Sequence, residues 1–183
     1  MNSAPTDLEL RAMLVSADRR ESGFRLLMRR YGEAIYWHIR RIVVGHDDAE
    51  DVFQETCVQV FRHIQSYKGE GKLSTWMYRI ATNEALRHLR RRTHRLQSLD
   101  SVNPALLRQL QAETPFDADT AQMRFQEALL QLPTQQRLVF NMRYYDDLSY
   151  EEMASITGKT IGNLKTLYHY AVKRLRLQLT TDN

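Results

Sequence analysis

Apolar residues recur at helical spacing through most of the chain. Its seven glycines and four prolines, in 183 residues, are too sparse to punctuate a succession of short strands. The expected fold class is therefore all-α. After a short helix near residues 6–15, Phe24, Leu27, Met28, Tyr31, Ile35, Ile39 and Ile42 form one apolar stripe, interrupted only by Gly32, and a turn is expected at Gly45. A second helix is expected to start at Asp47, whose side chain can cap free amides, with Glu50 three positions on as in a capping box. Its apolar face is Ala49, Val52, Phe53, Cys57, Val60, Phe61 and Ile64, which leaves Asp48, Glu50, Asp51, Gln54, Glu55 and Gln59 on the other faces. Residues 66–73, SYKGEGKL, carry two glycines and charges of both signs and read as a loop. A third helix should run from Ser74 or Thr75 to about Arg92, with Trp76, Met77, Ile80, Ala81, Ala85 and Leu89 turned inward.

These helices make a first domain, residues 1–93. Residues 94–120 lose the pattern: Pro104 and Pro115 break it and TPFDADT is short, polar and acidic, so this is a flexible linker with a fragment of helix around 104–112. The second domain, residues 121–183, resumes the period at Met123, Phe125, Leu129 and Leu132. Pro133 suits the first turn of a helix that runs through Val139, Phe140 and Met142 to Tyr145. The expected architecture is two small helical domains joined by a linker.

Several classes are excluded at once. No apolar run approaches the roughly 20 residues of a bilayer helix, and the N-terminus MNSAPTDLELR lacks the basic and apolar segments of a secretory signal, so a cytoplasmic location is expected. The one cysteine, Cys57, reads as a small buried hydrophobe, and no metal-ligand spacing surrounds it. A formal charge of +4 favours a polyanionic partner only weakly, and its distribution is more telling. Residues 47–55 hold five carboxylates and no basic group, whereas residues 79–95 hold six arginines against the single acid Glu84. One acidic helix and separate basic helices suit two kinds of partner.

The most informative stretch is LSYEEMASITGKTIGNLKTLYHYAVKRLRLQL. Ser149 and Glu152 form a capping box, Met153, Ala154 and Ile156 face inward, and Gly158 stands where a helix must stop and turn. Thr160 can cap the next helix, whose buried stripe is Ile161, Leu164, Tyr168, Ala171 and Leu175. Two short helices separated by a glycine-bearing turn make a helix-turn-helix, whose second helix enters the major groove. Gly162, Asn163, Lys165, Thr166 and His169 lie on its exposed face, ahead of Lys173, Arg174 and Arg176, and no acid occurs from Thr160 to Thr181. Such a surface suits phosphate positioning and base-edge contact, and an ordinary helical hairpin with a solvated basic face is the plainer alternative.

These residues, LPTQQRLVFNMRYYDDLSYEEMASITG followed by IGNLKTLYHYAVKRL, resemble the fourth region of bacterial RNA polymerase sigma factors of the extracytoplasmic-function group. DAEDVFQETCVQVFRHI and STWMYRIATNEALRHLRRR look like the second region of the same family, in the right order. The resemblance implies that the acidic helix docks on a coiled coil of the largest polymerase subunit, through Asp48, Asp51, Gln54 and Glu55. It implies that the loop at 66–72 holds an unstacked base of the minus-10 element, with Tyr67 and Lys68 beside it. Asn83 would read the same element, and Arg79, Arg90, Arg91 and Arg92 would follow phosphates. The helix-turn-helix, through Thr160, Gly162, Asn163, Lys165, Thr166, His169 and Lys173, would read the minus-35 element, while helix 134–145 touches the polymerase flap. The partners so implied are core RNA polymerase, promoter DNA and an anti-sigma factor. Leu167, Tyr170 and Val172 stand where family members often carry arginines, and Arg87 where they carry an aspartate.

Two other classes compete. A stand-alone helix-turn-helix regulator would need only DNA and would dimerise on a two-fold site. An enzyme would need a nucleophile with a base, paired carboxylates or a glycine-rich phosphate loop, and none of these patterns is present, so no catalytic residue, cofactor, metal or small-molecule substrate is expected.

Overall fold

A computed structural model describes residues 5–96 and 120–181, and among them the regular elements are all helical. In chain order they are α1 (Asp7–Val15), α2 (Arg20–Val43), α3 (His46–His63), α4 (Leu73–Leu96), α5 (Thr120–Leu130), α6 (Thr134–Tyr144), α7 (Tyr150–Thr157) and α8 (Ile161–Thr181). Short 3₁₀ turns at Ala17–Arg19 and Ile64–Ser66 follow α1 and α3. The helix fragment expected around 104–112 lies outside the described residues. No described helix is long and apolar enough to cross a membrane.

Helix α2 is the hub of the N-terminal group and packs on α1, α3 and α4, while α8 gathers α5, α6 and α7. The two groups do not stand apart: α6 lies against α2, and α7 against α4. One continuous apolar core runs from Leu10, Leu27, Ile35 and Ile39 through Met77 and Ala81 to Val139, Met142, Met153 and Leu164, all 0–1% exposed. A smaller cluster of Ala128, Leu129, Leu132, Phe140, Ala171 and Leu175 holds α5 to α6 and α8. Trp76 is buried in the main core, as its inward position predicts.

Three local expectations are corrected, while the turn at Gly45 is present. Helix α3 begins at His46 with Gly45 as its N-cap and no side-chain cap; Glu50 pairs with His46 one turn back at 3.2 Å, so the Asp47 and Glu50 box does not form. The left-handed residue of the α2–α3 corner is Val44, at φ 73° and ψ −47°, with Gly45 N–H donating to the Val43 carbonyl at 3.0 Å. That is a γ-turn of the strained kind. Phe61 and Ile161, assigned to buried stripes, are each 36% exposed. The Arg20 guanidinium lies 3.9 Å from the Phe61 ring centre, and Ile161 is the first residue of α8, where no earlier turn covers it. Cys57 is half-buried, its Sγ 3.5 Å from Met28 Sδ, and burial pushes its thiol pKa up, away from the reactive thiolate.

Candidate nucleic-acid interface

The α7–α8 helix pair is set by three local devices. Ser149 Oγ accepts from Glu152 N–H at 3.2 Å while the Glu152 carboxylate accepts from Ser149 N–H at 2.9 Å, so two free amides at the start of α7 are satisfied reciprocally. At its end Gly158 adopts φ 70°, a left-handed conformation that glycine enters without steric cost, and the chain turns into α8. Thr160 Oγ1 then accepts from Asn163 N–H at 3.2 Å. Leu164, wholly buried, fixes the roll of α8, and Thr160, Gly162, Asn163, Lys165, Thr166, His169 and Lys173 are all exposed, as are Arg174 and Arg176. Thr166 donates its hydroxyl proton to the Gly162 carbonyl at 3.0 Å, so it faces solvent as an acceptor. An added Cβ at Gly162 would meet nothing within 4 Å, which leaves the backbone open to close approach. Lys165 Nζ lies 5.6 Å from the Tyr150 ring centre, a weak cation–π contact that still leaves its ammonium in water. Of the positions that depart from the family pattern, Leu167 and Val172 are half-buried against the core and Tyr170 is 49% exposed.

A second surface is built on the loop before α4. Gly69 and Gly71 take φ 84° and 76°, and between them the loop doubles back far enough for Tyr67 to donate its hydroxyl to the Gly71 carbonyl at 2.8 Å. Asp7 of α1 anchors the loop's exit: its carboxylate accepts from Leu73 N–H at 3.0 Å and from Tyr31 Oη at 2.6 Å. Burial and the adjacent Asp7 carboxylate push the Tyr31 phenol up to about 12, so it remains a donor at neutral pH. Tyr67 is only 3% exposed, with its ring 6.0 Å from that of Trp76. Its ring is therefore part of the core, and its hydroxyl shapes the loop. Lys68 is exposed; so are Arg79, Asn83 and Arg90, which share one face of α4 at helical spacing, and Arg91, which is exposed toward the α3 side. A cleft of about 660 Å³ has Tyr67, Lys68, Lys72, Thr75, Trp76 and Arg79 on one wall and Glu151, Glu152 and Ser155 of α7 on the other. Lys72 Nζ donates across it to Glu152 Oε1 at 2.8 Å.

The acidic face of α3 is divided. Asp51 and Gln54 are exposed and make no described side-chain bond, whereas Glu55 accepts from Gln59 at 2.7 Å and lies 3.8 Å from Arg87. Asp48 is half-buried between α3 and α4, in an ion pair with Arg92 and 3.1 Å from His88 Nε2. That clamp holds Arg92 away from the exposed row of α4 arginines. The face of α6 that carries Arg137, Leu138, Val139, Asn141 and Met142 is also closed to solvent, packed on α2 and α8. None of the contacts between α6 and α2 announces itself in the sequence. The available signal is His38, a polar residue one turn from Ile35 and Ile42 on an otherwise apolar stripe.

Comparison with known proteins adds an independent line. Residues 27–95 match the Sigma-70 region 2 family and residues 122–175 match Sigma-70, region 4. The chain is 30% identical over 158 residues to the ECF RNA polymerase sigma factor SigW of Bacillus subtilis, covering 81% of this chain and 84% of that one. It is 27% identical to the RNA polymerase sigma-H factor of Pseudomonas aeruginosa over 87% of this chain and 86% of that one. Two solved structures share the fold across both helix groups. The sigma factor RpoE in complex with the anti-sigma factor NepR, from Bartonella quintana, has a TM-score of 0.71 at 23% identity, over 87% of this chain and 98% of that one. CnrH in complex with the cytosolic domain of CnrY gives 0.70 at 22% identity, over 97% and 99%.

Proposed function

We infer what each surface does from one premise: the chain belongs to the extracytoplasmic-function group of bacterial RNA polymerase sigma factors. It binds core polymerase and gives it a promoter, as a noncatalytic subunit acting in the cytoplasm. Residues 1–93 dock on the core and open the minus-10 element, residues 94–120 link, and residues 121–183 read the minus-35 element as duplex.

The supporting observation is the pairing, on one chain, of an acid-free exposed recognition helix with a separate cationic row and pocketed loop on α4. Duplex reading and duplex opening need different chemistry. For the first, Asn163, Lys165, Thr166 and His169 present amide, ammonium, hydroxyl and imidazole groups to a major groove, with Thr160, Gly162 and Lys173 against the backbone. For the second, a base that leaves the stack must be held long enough to offset a few kcal/mol of lost stacking and pairing. The loop that Tyr67 and Asp7 hold in shape provides the pocket, Asn83 a donor and an acceptor for a base edge, and Lys68, Arg79, Arg90 and Arg91 countercharge for the freed strand. Asp51, Gln54 and Glu55 form the polymerase-facing surface of α3, with Asp48 tying that surface to α4. An anti-sigma factor is a further partner, a reading supported by the structurally similar sigma factor RpoE, solved in complex with the anti-sigma factor NepR.

Purified chain added to core polymerase should direct transcription from a defined start site on a mapped promoter. A chain that fails to associate with core, or that binds a palindromic duplex tightly on its own, contradicts the assignment.

A further inference from the structure

The seam between the two helix groups has a centre that promoter binding does not use. Asp146, just after α6, has a side chain only 2% exposed, yet it reaches α2: its Oδ2 lies 2.6 Å from His38 Nδ1 and its Oδ1 3.0 Å from Arg41 Nη1. His38 is itself fully buried, and its Nε2 lies 2.9 Å from Thr82 Oγ1 of α4. Because a carboxylate only accepts, Nδ1 must carry a proton and donate to Asp146. The Arg41 guanidinium also covers the Tyr145 ring at 4.4 Å. Beside this cluster Asn141 Nδ2 donates to the Arg41 carbonyl at 3.3 Å and Arg137 Nη2 to the Ile42 carbonyl at 3.4 Å, both from α6 to the end of α2. Two groups of α2 thus converge on one carboxylate of the other helix group, and Thr82 of α4 holds the far side of the His38 ring. A buried carboxylate keeps its charge only if it is paired and hydrogen-bonded, and these partners exist only while the groups touch.

The same closed arrangement determines what stands over the cleft beside α4. Glu151 and Glu152 form the wall opposite Lys68, Lys72 and Arg79, and Glu152 already accepts from Lys72. A nucleic-acid strand entering there meets two carboxylates where it needs cations.

We propose that Asp146 is the latch of a self-inhibited form, in which the C-terminal helices carry the acidic start of α7 over the cleft and bury the α6 face against α2. Productive binding of core polymerase and DNA requires the latch to open. What the cleft and the α6 face do follows from the sigma-factor reading above, whereas the latch itself is a property of the free chain. Removing the Asp146 charge should shift the closed-to-open ratio by about 10- to 100-fold, since breaking a buried pair from one side is costly and Arg41 retains some access to water.

Asp146→Asn and Arg41→Gln in the full chain test this. Small-angle X-ray scattering of the free proteins should show a compact wild type and a larger radius of gyration for both variants, with helical circular dichroism unchanged. Affinity for core polymerase should rise about 10-fold or more, because the wild-type affinity is reduced by the fraction that is open. If Asp146→Asn loses helical signal, Arg41→Gln decides, because its side chain is 28% exposed and its replacement stays amphipathic. Scattering and core affinity both equal to wild type in Arg41→Gln overturn the latch. A wild type that never binds core overturns the sigma-factor reading instead, and the scattering comparison still decides the latch.

Discussion

Tyr67→Phe separates two roles for one side chain. The phenol is 3% exposed and its hydroxyl donates to the Gly71 carbonyl at 2.8 Å, closing a loop whose glycines sit at φ 84° and 76°. Phenylalanine keeps the ring against Trp76 and removes only that bond. A neutral hydrogen bond contributes about 0.5–1.5 kcal/mol, and Gly71 is exposed, so its carbonyl can take water instead. The loop should therefore loosen by about 1 kcal/mol, a roughly 5-fold loss of the conformation that holds a captured base. Tyr67→Ala also empties a core position and should cost about 3–5 kcal/mol of stability. Permanganate reactivity of unpaired thymines in the reconstituted holoenzyme measures opening, and footprinting of the unopened complex measures duplex binding. The expected result is a mild opening defect for phenylalanine with duplex binding intact. If phenylalanine is as damaging to opening as alanine, the hydroxyl itself touches DNA and the loop-shaping role is wrong.

Gly158→Ala places a Cβ in open space but at φ 70°, so it should lower stability by about 1–2 kcal/mol through backbone strain alone, read as a shift in the thermal midpoint; no shift would mean the turn is not left-handed in solution. Lys165→Ala should weaken promoter binding and reduce the slope of log affinity against log salt by about 1, the release associated with one phosphate, in a filter-binding series. The Lys72 hydrogen bond, and after it the Ser149 amide, holds the Glu152 carboxyl below its usual value of 4.5. A carboxyl lowered on folding stabilises above its unfolded value and loses that contribution as pH falls through its folded value. Glu152→Gln, which can still complete the capping box, should therefore be less stable than wild type at pH 7, and the gap in urea midpoints should close as pH falls below 4.5.

The helix-turn-helix was legible because its determinants are local. Ser149 with Glu152, Gly158, and Thr160 with Asn163 each act over a few residues, so a short window of sequence contains both partners. The same rule misled at Asp47 and Glu50, where the chain geometry at Val44 starts the helix one residue earlier and His46 takes Glu50 instead. Tyr67 could not be separated from a solvent-facing aromatic, because its burial depends on Trp76 and on the path of a glycine loop. The seam was illegible for a plainer reason. His38 and Asp146 are 108 positions apart, and nothing in the pattern of either helix shows that they meet. Asp48 likewise reads as one more acid on a solvated face until α4 brings His88 and Arg92 to it.

In the proposed function one chain both reads a duplex and opens it, from separate surfaces. Permanganate reactivity at the minus-10 element in holoenzyme carrying Asn83→Ala tests it most directly. Loss of one base-edge contact, about 1–3 kcal/mol, should cut opening roughly 5- to 150-fold while the minus-35 footprint and unopened complex persist. Equal loss of opening and of duplex binding would contradict the division of labour between α4 and α8.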